Sequence, residues 1–429
     1  MNKDRPRLFF GWWVTLTAAL GLLLSSAPII VFSFSVFLEP LSREFHTNRA
    51  AISLAYTLYG VTSAISALVI GRLVDRYGAR KIVIPSIAIF AVLLSANRPF
   101  SGQLWRLYLF YFLLGAVSTG TGPMAYSDVV SHWFDRRRGL ALGVMMIGVG
   151  TGAMIMPSLA QRLITTFGWR AAYVFYGAAM LLISAPIVGI FLKERPEKVG
   201  LVPDGDALPS GAVAYQSEDQ GLSWSQVRRD RTFWCMVAAF CLVAAGVQGC
   251  VVHISAMVAD RGSTVQIAAL ASSFLGAALL IGRVASGYLL DRFFGPRVAA
   301  FFFGGAAAGI ALLGMGGPRW TAFAAAVLLG LGLGAEVDII AYLTSRYFGL
   351  RSFAEIYSYA WAAFVVTQSL GPYLMGLGFD KTGSYVLSLT AFFFAALVAM
   401  VLMTRLGPYR YAPRVAVSVM ARAQPEITA

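Results

Sequence analysis

The sequence predicts an all-α membrane protein with twelve transmembrane helices, arranged as two six-helix pseudo-repeats. The first observation is composition: of 429 residues, 58% are hydrophobic and only 13% are charged, a balance typical of polytopic membrane proteins. The second is that the apolar runs are about 20 residues long and lack the period-2 alternation of membrane strands, which leaves helices as the spanning element. The third is an internal repeat, described below.

Twelve apolar segments follow one another along the chain. The polar stretch 193–231 is rich in Pro, Gly, Asp and Ser, so we interpret it as a cytoplasmic linker. It separates a half over residues 1–192 from a half over 232–405, and a short tail covers 406–429. The segments cover approximately residues 11–37, 50–71, 82–97, 106–131, 139–160, 170–192, 232–259, 265–290, 298–316, 320–345, 353–378 and 383–405.

The distribution of Lys and Arg predicts the orientation. An even number of spans places both termini on one side, and 24 of the 34 Lys and Arg residues fall on that side against nine on the other. Positively charged loops stay in the cytoplasm, so we expect a multi-pass protein of the bacterial cytoplasmic membrane with both termini inside. The net charge of +14 is then an orientation signal, and a nucleic-acid partner is not expected.

Short elements recur at a nearly constant offset. Residues 71–76 (GRLVDR) end span 2, and residues 287–292 (GYLLDR) end span 8, 216 positions later. Residues 131–134 (SHWF) and 345–348 (SRYF) form a second pair at an offset of 214. The two halves are therefore similar and parallel, a repeat type that places a substrate site near the membrane midplane between them.

The acids of this repeat, Asp75 and Asp291, predict a gate on the cytoplasmic side. Glycine lets two helices approach closely, and each acid can pair with a basic group at a neighbouring helix end. The alternative is that these charges are only a solvated topology signal. Asp128 and His132 are four residues apart on one helix face and predict a further gate pair. The other predicted gate residues are Arg76, Arg292, Arg136 and Arg137, with Arg138 beside them.

Arg283 lies inside the apolar run of span 8. A charge in the bilayer interior is costly and marks a functional site by default, and a guanidinium does not shed its proton to avoid that cost. We interpret Arg283 as the group that binds a substrate carboxylate. The alternative is an arginine held by a buried acid of the protein.

The two G-x-x-x-D-R elements and the twelve spans resemble the major facilitator superfamily over the whole chain. Residues 11–13 (GWW), 132–141 (HWFDRRRGLA) and 195–205 (RPEKVGLVPDG) resemble the bacterial monocarboxylate porter and oxalate/formate antiporter group within it. The resemblance implies the major facilitator fold, alternating access, and a helix-8 arginine that binds the substrate carboxylate. Arg283 matches that arginine.

A bacterial lactate transporter of this group also uses a helix-7 histidine about thirty residues before the arginine, and His253 stands at that spacing. The resemblance therefore implies a substrate or proton role for His253, against the alternative of a structural histidine. Two lysines of the family are absent. Span 1 has no basic residue like the one animal monocarboxylate transporters use for proton coupling, and span 11 lacks the lysine of the oxalate antiporter.

Span 10 carries two acids, Glu336 and Asp338, which is unusual at that depth. Asp338 aligns by the repeat with Met124 of span 4, so we expect both at the depth of the cavity. Residues two apart do not share a helix face, and we choose Asp338 for the site. One of the two acids is expected to carry a proton, with His253 as the third proton-coupling candidate. The alternative is that Asp338 simply neutralises Arg283.

Tyrosines 59, 126 and 342 lie in spans 2, 4 and 10. We place Tyr59 and Tyr126 with Met124 among the residues that line the cavity, against the alternative that they only pack. Cys235, Cys241 and Cys250 lie in one apolar segment and have no metal-ligand spacing, so no metal site is expected.

Taken together, these residues predict a secondary active transporter of a small organic monocarboxylate, similar to lactate or pyruvate, coupled to a proton. A single guanidinium suits a monoanion through a bidentate contact. The alternatives are a carboxylate exchanger of the oxalate-formate type without proton coupling, and a non-transporting sensor. No H-E-x-x-H or G-x-S-x-G motif is present, so an enzyme is not expected. The expected partners are an organic anion, a proton and the lipid bilayer, with no cofactor and one chain acting alone.

Overall fold

The computed structural model describes residues 9–47, 49–97, 102–205, 220–260, 265–317 and 319–411. These residues carry the twelve predicted helical spans and, outside the helices, one isolated β-bridge between Gly221 and Gly349. Residues 206–219 of the predicted linker and residues 412–429 of the predicted tail lie outside the described part of the chain.

Helices α1 to α6 form the first half, here the N half. Three of them change helical type along their length. Their bounds are α1, Phe10–Leu23 continued by Ala27–Phe32 and Phe34–Glu44; α2, Arg49–Tyr77; α3, Ala79–Ser95; α4, Leu104–Ser118 continued by Thr119–Thr121 and Pro123–Trp133; α5, Arg138–Phe167; and α6, Trp169–Ala179 continued by Met180–Ser184 and Ala185–Phe191.

Proline explains two of these changes. The π-helical turn of α1 contains Pro28, whose carbonyl accepts a hydrogen bond from the Ser33 hydroxyl at 2.8 Å. In α4, Gly122 is extended immediately before Pro123. Proline has no N–H for the helical ladder and disfavours helical geometry in the preceding residue, so both helices are interrupted near their middle.

Helices α7 to α12 form the second half, here the C half. Each of these is a single uninterrupted helix within the described residues. Their bounds are α7, Arg231–Asp260; α8, Val265–Arg292; α9, Gly295–Met315; α10, Arg319–Phe348; α11, Phe353–Thr382; and α12, Val386–Thr404.

Ten helical stretches of the described chain are long and apolar enough to cross a membrane. The other two are α3, which has 17 residues, and α4, which is interrupted. Large apolar side chains such as Leu182 and Phe301 are 76% and 69% exposed, as side chains that face lipid should be. The prediction of an all-α membrane protein is confirmed.

Both described ends of the chain lie on one face of the molecule. Phe9 packs on Trp133 and Phe134 beside the α4–α5 connection, and Tyr409 packs on Phe294 beside the α8–α9 connection. We call this the terminal face and the other the opposite face. The halves pack together chiefly through two helix pairs, α5 with α8 and α2 with α11. By the sequence repeat, α2 corresponds to α8 and α5 to α11, so these two contacts are equivalent.

Candidate substrate cavity and gate

A cavity of about 280 Å³ lies between the two halves. Its described lining comes from four helices of the N half, α1, α2, α4 and α5, and from their repeat counterparts α7, α8, α10 and α11. The described lining contains no residue of the terminal-face connections. The cavity is therefore positioned at the pseudo-symmetric interface where the sequence repeat predicts a substrate site.

The interruptions in α1 and α4 form part of the cavity wall. Ser26 and Ala27 line it at the break in α1, and Ser118 and Thr119 line it at the break in α4. The two breaks contact each other, because the Ser26 hydroxyl donates to the Ser118 carbonyl at 3.2 Å. Discontinuous helices supply polar groups at binding sites of many transporters, and here they give the N half a hydroxyl-bearing surface.

Arg283 lines the cavity from α8 and is only 5% exposed. Its Nε and Nη1 have no hydrogen-bond partner among the described residues. Its backbone carbonyl lies against Gly143 of α5, where an added Cβ would be 2.6 Å from that oxygen. Gly143 therefore lets the N half approach α8 at the position of the arginine, whose donors stay available for a ligand.

Glu336 and Asp338 are both buried, at 1% exposure, and their carboxylate oxygens have no hydrogen-bond partner among the described residues. Both interact electrostatically with Arg283. Leu333 and Val337 are the α10 residues in the described cavity lining. Glu336 and Asp338 precede and follow Val337, so they lie on the two flanks of the helix face that lines the cavity. The placement of Asp338 in the cavity wall was wrong, since residues 337 and 338 differ in direction by about 100° on a helix. Asp338 instead lies on the side of α10 that packs on α8.

Tyr59 and Met124 line the cavity as predicted, whereas Tyr126 and His253 do not belong to its described lining. The Tyr126 hydroxyl packs against Gly21 of α1. Along α7, Val251 lines the cavity, and two residues further turns His253 by about 200° to the far side. The structure therefore does not bring these two predicted site residues to the cavity.

His253 instead lies in the contact of α7 with α11 and α12. Its Nδ1 is 3.4 Å from the Tyr385 hydroxyl and its Nε2 is 3.2 Å from the Pro372 carbonyl oxygen. These contacts give the ring a structural partner on each nitrogen.

The predicted gate acids do bridge the halves, but through backbone groups. Asp291 of α8 accepts the N–H groups of Gly139 and Leu140 at 2.6 and 2.8 Å. Asp75 of α2 accepts those of Ala354 and Glu355 at 3.0 and 2.8 Å. The first turn of a helix has unpaired N–H groups and a partial positive charge, so each acid is held at the N-terminus of a helix in the other half.

The partners that the structure gives the two acids are these backbone N–H groups, whereas the sequence suggested basic groups such as those of Arg136 and Arg137. The backbone N–H groups of these two residues point to Asp204 in the first part of the linker, at 2.8 and 3.4 Å. Arg76 and Arg292 are exposed, and each guanidinium lies over a tyrosine of its own helix, Tyr77 and Tyr288. Arg76 and Arg292 thus each contact a tyrosine of their own half on the terminal face.

Sequence reasoning missed several other charged groups that cross the interface between the halves. Arg346 of α10 forms an ion pair with Asp135 at 2.6 Å and also donates to the Asp135 carbonyl. Arg138 donates to the Ser345 hydroxyl at 3.0 Å. Arg72 pairs with Glu355 at 2.8 Å. Arg346 occupies the repeat position of His132, so the second repeated element was the available signal.

Asp128 and His132 do approach each other within α4. The His132 Nδ1 lies 2.8 Å from the Asp128 backbone oxygen and 3.6 Å from its carboxylate. This is the predicted spacing of one helical turn. Both groups belong to the N half.

The whole-chain comparisons agree with this architecture. The sequence profile of the Major Facilitator Superfamily matches residues 18–372. The chain belongs to the Major Facilitator Superfamily, and it is a multi-pass membrane transporter of that superfamily.

Two relatives align over most of the chain. Monocarboxylate transporter 11 of Mus musculus is 26% identical, over 87% of this chain and 83% of that protein. The uncharacterized MFS-type transporter YhjX of Escherichia coli (strain K12) is 24% identical, over 85% of this chain and 86% of that protein.

Two solved structures share the fold. The proton:xylose symporter XylE superposes with a TM-score of 0.76 at 14% identity, over 93% of this chain and 96% of that one. FucP in the outward conformation superposes with a TM-score of 0.64 at 17% identity, over 91% and 97%.

Proposed function

We propose that this protein is a secondary active transporter of a small organic monocarboxylate, such as lactate or pyruvate, and that a proton accompanies the substrate. The observation that supports it is Arg283, a buried guanidinium in the wall of the inter-half cavity, whose Nε and Nη1 have no hydrogen-bond partner in the described part of the chain. A carboxylate offers the planar pair of acceptors that a guanidinium binds best. The similarity to proteins named monocarboxylate transporters points to the same substrate class.

The proton is assigned by counting buried charges. Arg283 supplies one positive charge, and Glu336 and Asp338 supply two negative ones when both are ionised. An unbalanced charge in a dry interior is costly, so one proton on the acid pair restores neutrality beside the arginine. A substrate carboxylate that enters adds another negative charge, which favours uptake of the second proton. His253 is not retained in this role because its ring packs on Tyr385 and Pro372.

Alternating access follows from the closed terminal face. The inter-half contacts of Asp75, Asp291 and Arg346 close that face, while the cavity lining extends to the exposed residues Phe32 and Ser369, which lie further from the terminal face along α1 and α11. Release of the substrate at the terminal face requires these contacts to break together. We place the protein in the bacterial cytoplasmic membrane, with the terminal face inside, on the distribution of Lys and Arg. One chain encloses the cavity, so a monomer suffices.

The test is uptake of labelled L-lactate into proteoliposomes with and without an acid-outside pH gradient. Removing one partner of a buried charged contact costs about 2–5 kcal/mol, so Arg283→Ala should lower uptake by roughly 30-fold or more. Arg283→Lys keeps the charge but loses the bidentate geometry and should remain strongly impaired. Arg405→Ala, an exposed arginine after α12, is the control. Uptake by Arg283→Ala at the wild-type rate would overturn the proposal.

The same vesicles separate symport from exchange. A proton symporter accumulates substrate in empty vesicles when the outside is acid. A carboxylate exchanger takes up label only when the vesicles are preloaded with carboxylate, and it does so without a pH gradient. The second result would replace proton coupling with exchange and leave the role of Arg283 intact.

A further inference from the structure

Four of the aromatic side chains that line the cavity form two pairs, one in each half. On α2, Tyr56 and Tyr59 lie with ring centroids 6.2 Å apart and an interplanar angle of 24°. On α11, Trp361 and Phe364 lie 5.6 Å apart at 27°. All four residues line the cavity. Within each pair the rings are close to parallel, and we call each pair the aromatic wall of its half.

The two helices that carry these walls pack against each other. On the terminal side α2 and α11 are in direct contact, because Gly71 lies against Ala354 with only 2.6 Å for an added Cβ to the Ala354 carbonyl. At 3.6 residues per turn, the wall of α2 stands roughly three to four turns from this contact and the wall of α11 roughly two to three turns, and both line the cavity. A ligand between them therefore has an aromatic surface on two sides, and aromatic faces favour a flat π-system by offset stacking.

The cavity has unfilled space beside the α2 wall. Gly60 lines the cavity next to Tyr59, and a Cβ built on it would meet no atom within 4 Å. A three-carbon acid such as lactate has a single methyl group to place in this space. An acid that carries a ring has more apolar surface to place there.

Hydroxyl groups lie on the N-half side of the same cavity. Ser118 donates to Ser63 at 2.8 Å or to the Gly115 carbonyl, and Thr119 donates to the Ser63 carbonyl at 2.9 Å. The Ser63 hydroxyl accepts the bond from Ser118, and the acceptor that the described residues offer to its own hydrogen is the Thr119 hydroxyl at a long 3.4 Å. A hydroxyl carries one donor and two acceptor positions, so Ser63 retains capacity to bind a polar group of a ligand. Arg283 stands in the other half.

We propose that the preferred substrate is an aryl monocarboxylate with a hydroxyl group on its ring. The carboxylate binds Arg283, the ring lies between the Tyr56–Tyr59 and Trp361–Phe364 walls, and the ring hydroxyl binds Ser63. This inference rests on the proposed function, since it uses Arg283 as the carboxylate site, and it narrows the substrate to a flat, hydroxylated member of the monocarboxylate class.

The test measures binding to the purified full-length protein by calorimetry, because uncharged aryl acids cross lipid vesicles unaided. The probes are 4-hydroxyphenylacetate, phenylacetate and L-lactate. Two added stacking contacts should make 4-hydroxyphenylacetate bind about tenfold or more tightly than L-lactate. The added hydrogen bond should make it bind several-fold more tightly than phenylacetate.

Variants assign these preferences to the named residues. Gly60→Leu places a side chain in the open space and should weaken binding of both aryl acids more than that of L-lactate. Gly276→Leu is the matched control, since Gly276 also has no atom near its Cβ and lies outside the described cavity lining. Trp361→Leu should lower the ratio of aryl to lactate affinity. Ser63→Ala should abolish the preference for 4-hydroxyphenylacetate over phenylacetate.

The outcomes separate this inference from the function on which it rests. If L-lactate binds in an Arg283-dependent manner and the aryl acids bind no better, the aryl inference is wrong and the proposed function stands. If no carboxylate among the probes depends on Arg283, the proposed function is wrong as well. Tighter aryl binding that Gly60→Leu and Trp361→Leu leave unchanged would also overturn the inference.

Discussion

Asp291 and Asp75 make the same contact in opposite directions across the interface between the halves. Asp291 of the C half holds the N-terminus of α5, and Asp75 of the N half holds the N-terminus of α11. The two acids are 216 residues apart, and so are Gly71 and Gly287, which bring the helices together at both places. The sequence repeat is therefore a repeat of inter-half contacts, and opening the terminal face must break both copies.

Neutralising either acid should favour opening of the terminal face. Asparagine keeps one acceptor oxygen, but its NH2 group faces the second backbone N–H and cannot accept from it. Asp75→Asn and Asp291→Asn therefore each lose at least one hydrogen bond to a charged group, which is worth about 1.5–3 kcal/mol. The closed-to-open ratio should fall roughly tenfold or more. Because the contacts are equivalent, the two variants should have similar effects.

Distances between spin labels at positions 76 and 292 measure this change. Arg76 and Arg292 are exposed, lie on the terminal face of different halves, and contact only their own helices in the interactions described above. Asp380→Asn, at an exposed position of α11, is the control. Labels are attached to cysteines at these two positions after replacement of Cys235, Cys241 and Cys250. A distance distribution in both variants equal to the wild type would contradict a gating role.

Breaking the Arg346–Asp135 pair should destabilise the closed protein strongly. Arg346 is 2% exposed and pairs with the Asp135 carboxylate, which is 17% exposed and also lies 3.5 Å from Arg138. Removing the Asp135 charge takes the carboxylate partner from the buried Arg346, at a cost of about 3–5 kcal/mol, whereas Arg346→Gln leaves Asp135 its contact with Arg138 and should cost less. Arg346→Gln and Asp135→Asn should each lower the thermal unfolding temperature in detergent. The double variant should lower the unfolding temperature by less than the sum of the decreases in the two single variants. Additive losses would show that the two groups act independently.

The fold and the positions of the gate acids could be predicted from the sequence because they depend on patterns along it. Apolar length fixes the spans, and the repeat fixes which helix ends carry Asp75 and Asp291. The partners of these acids could not be predicted, because a backbone N–H is present at every residue except proline and carries no sequence signal. Arginines 136 and 137 look like better partners in the sequence, yet their N–H groups contact Asp204 instead.

The cavity was predicted in part for a similar reason. Arg283 is visible because a charge stands out in an apolar run, whereas the direction of a side chain depends on how helices rotate against each other. His253 is on the side of α7 away from the cavity, and Tyr126 faces Gly21. The walls formed by Tyr56 and Trp361 were missed since aromatic residues are common throughout the spans and only packing brings these together.

Replacing the acids of α10 should separate proton coupling from substrate binding. In Glu336→Gln and Asp338→Asn a buried carboxyl loses the ability to exchange a proton beside Arg283. We expect at least one variant to lose gradient-driven accumulation of L-lactate. The same variant should retain counterflow, which is the uptake of labelled L-lactate into vesicles preloaded with unlabelled L-lactate without a pH gradient. Asp380→Asn, which is exposed, should keep both activities. Full gradient-driven accumulation in both acid variants would remove these residues from the coupling mechanism.

The contact of Glu44 with Arg170 should give a pH-dependent contribution to stability on the opposite face. Glu44 lies past the end of the candidate span Phe10–Phe32, and Nη1 and Nη2 of Arg170 both donate to its carboxylate. The hydrogen bonds from Arg170 lower the pKa of Glu44 below its ordinary value of 4.5. A lowered folded-state pKa means that the stabilisation is fully present above the unfolded pKa and is lost as the pH falls through the folded pKa.

Glu44→Gln should therefore reduce stability near pH 7 and have less effect as the pH is lowered below 4.5. The carboxylate is 29% exposed and the arginine 33%, so solvent screening limits the loss to about 1 kcal/mol. Glu39→Gln removes the acid of the exposed Glu39–Arg43 pair on the same helical segment and should change stability little at any pH, because exposed pairs contribute little. The unfolding temperatures of each variant and of the wild type, measured near pH 7 and below pH 4.5, give the change in stability at each pH. If Glu44→Gln loses as much stability below pH 4.5 as it does near pH 7, packing rather than the charge of Glu44 stabilises this contact.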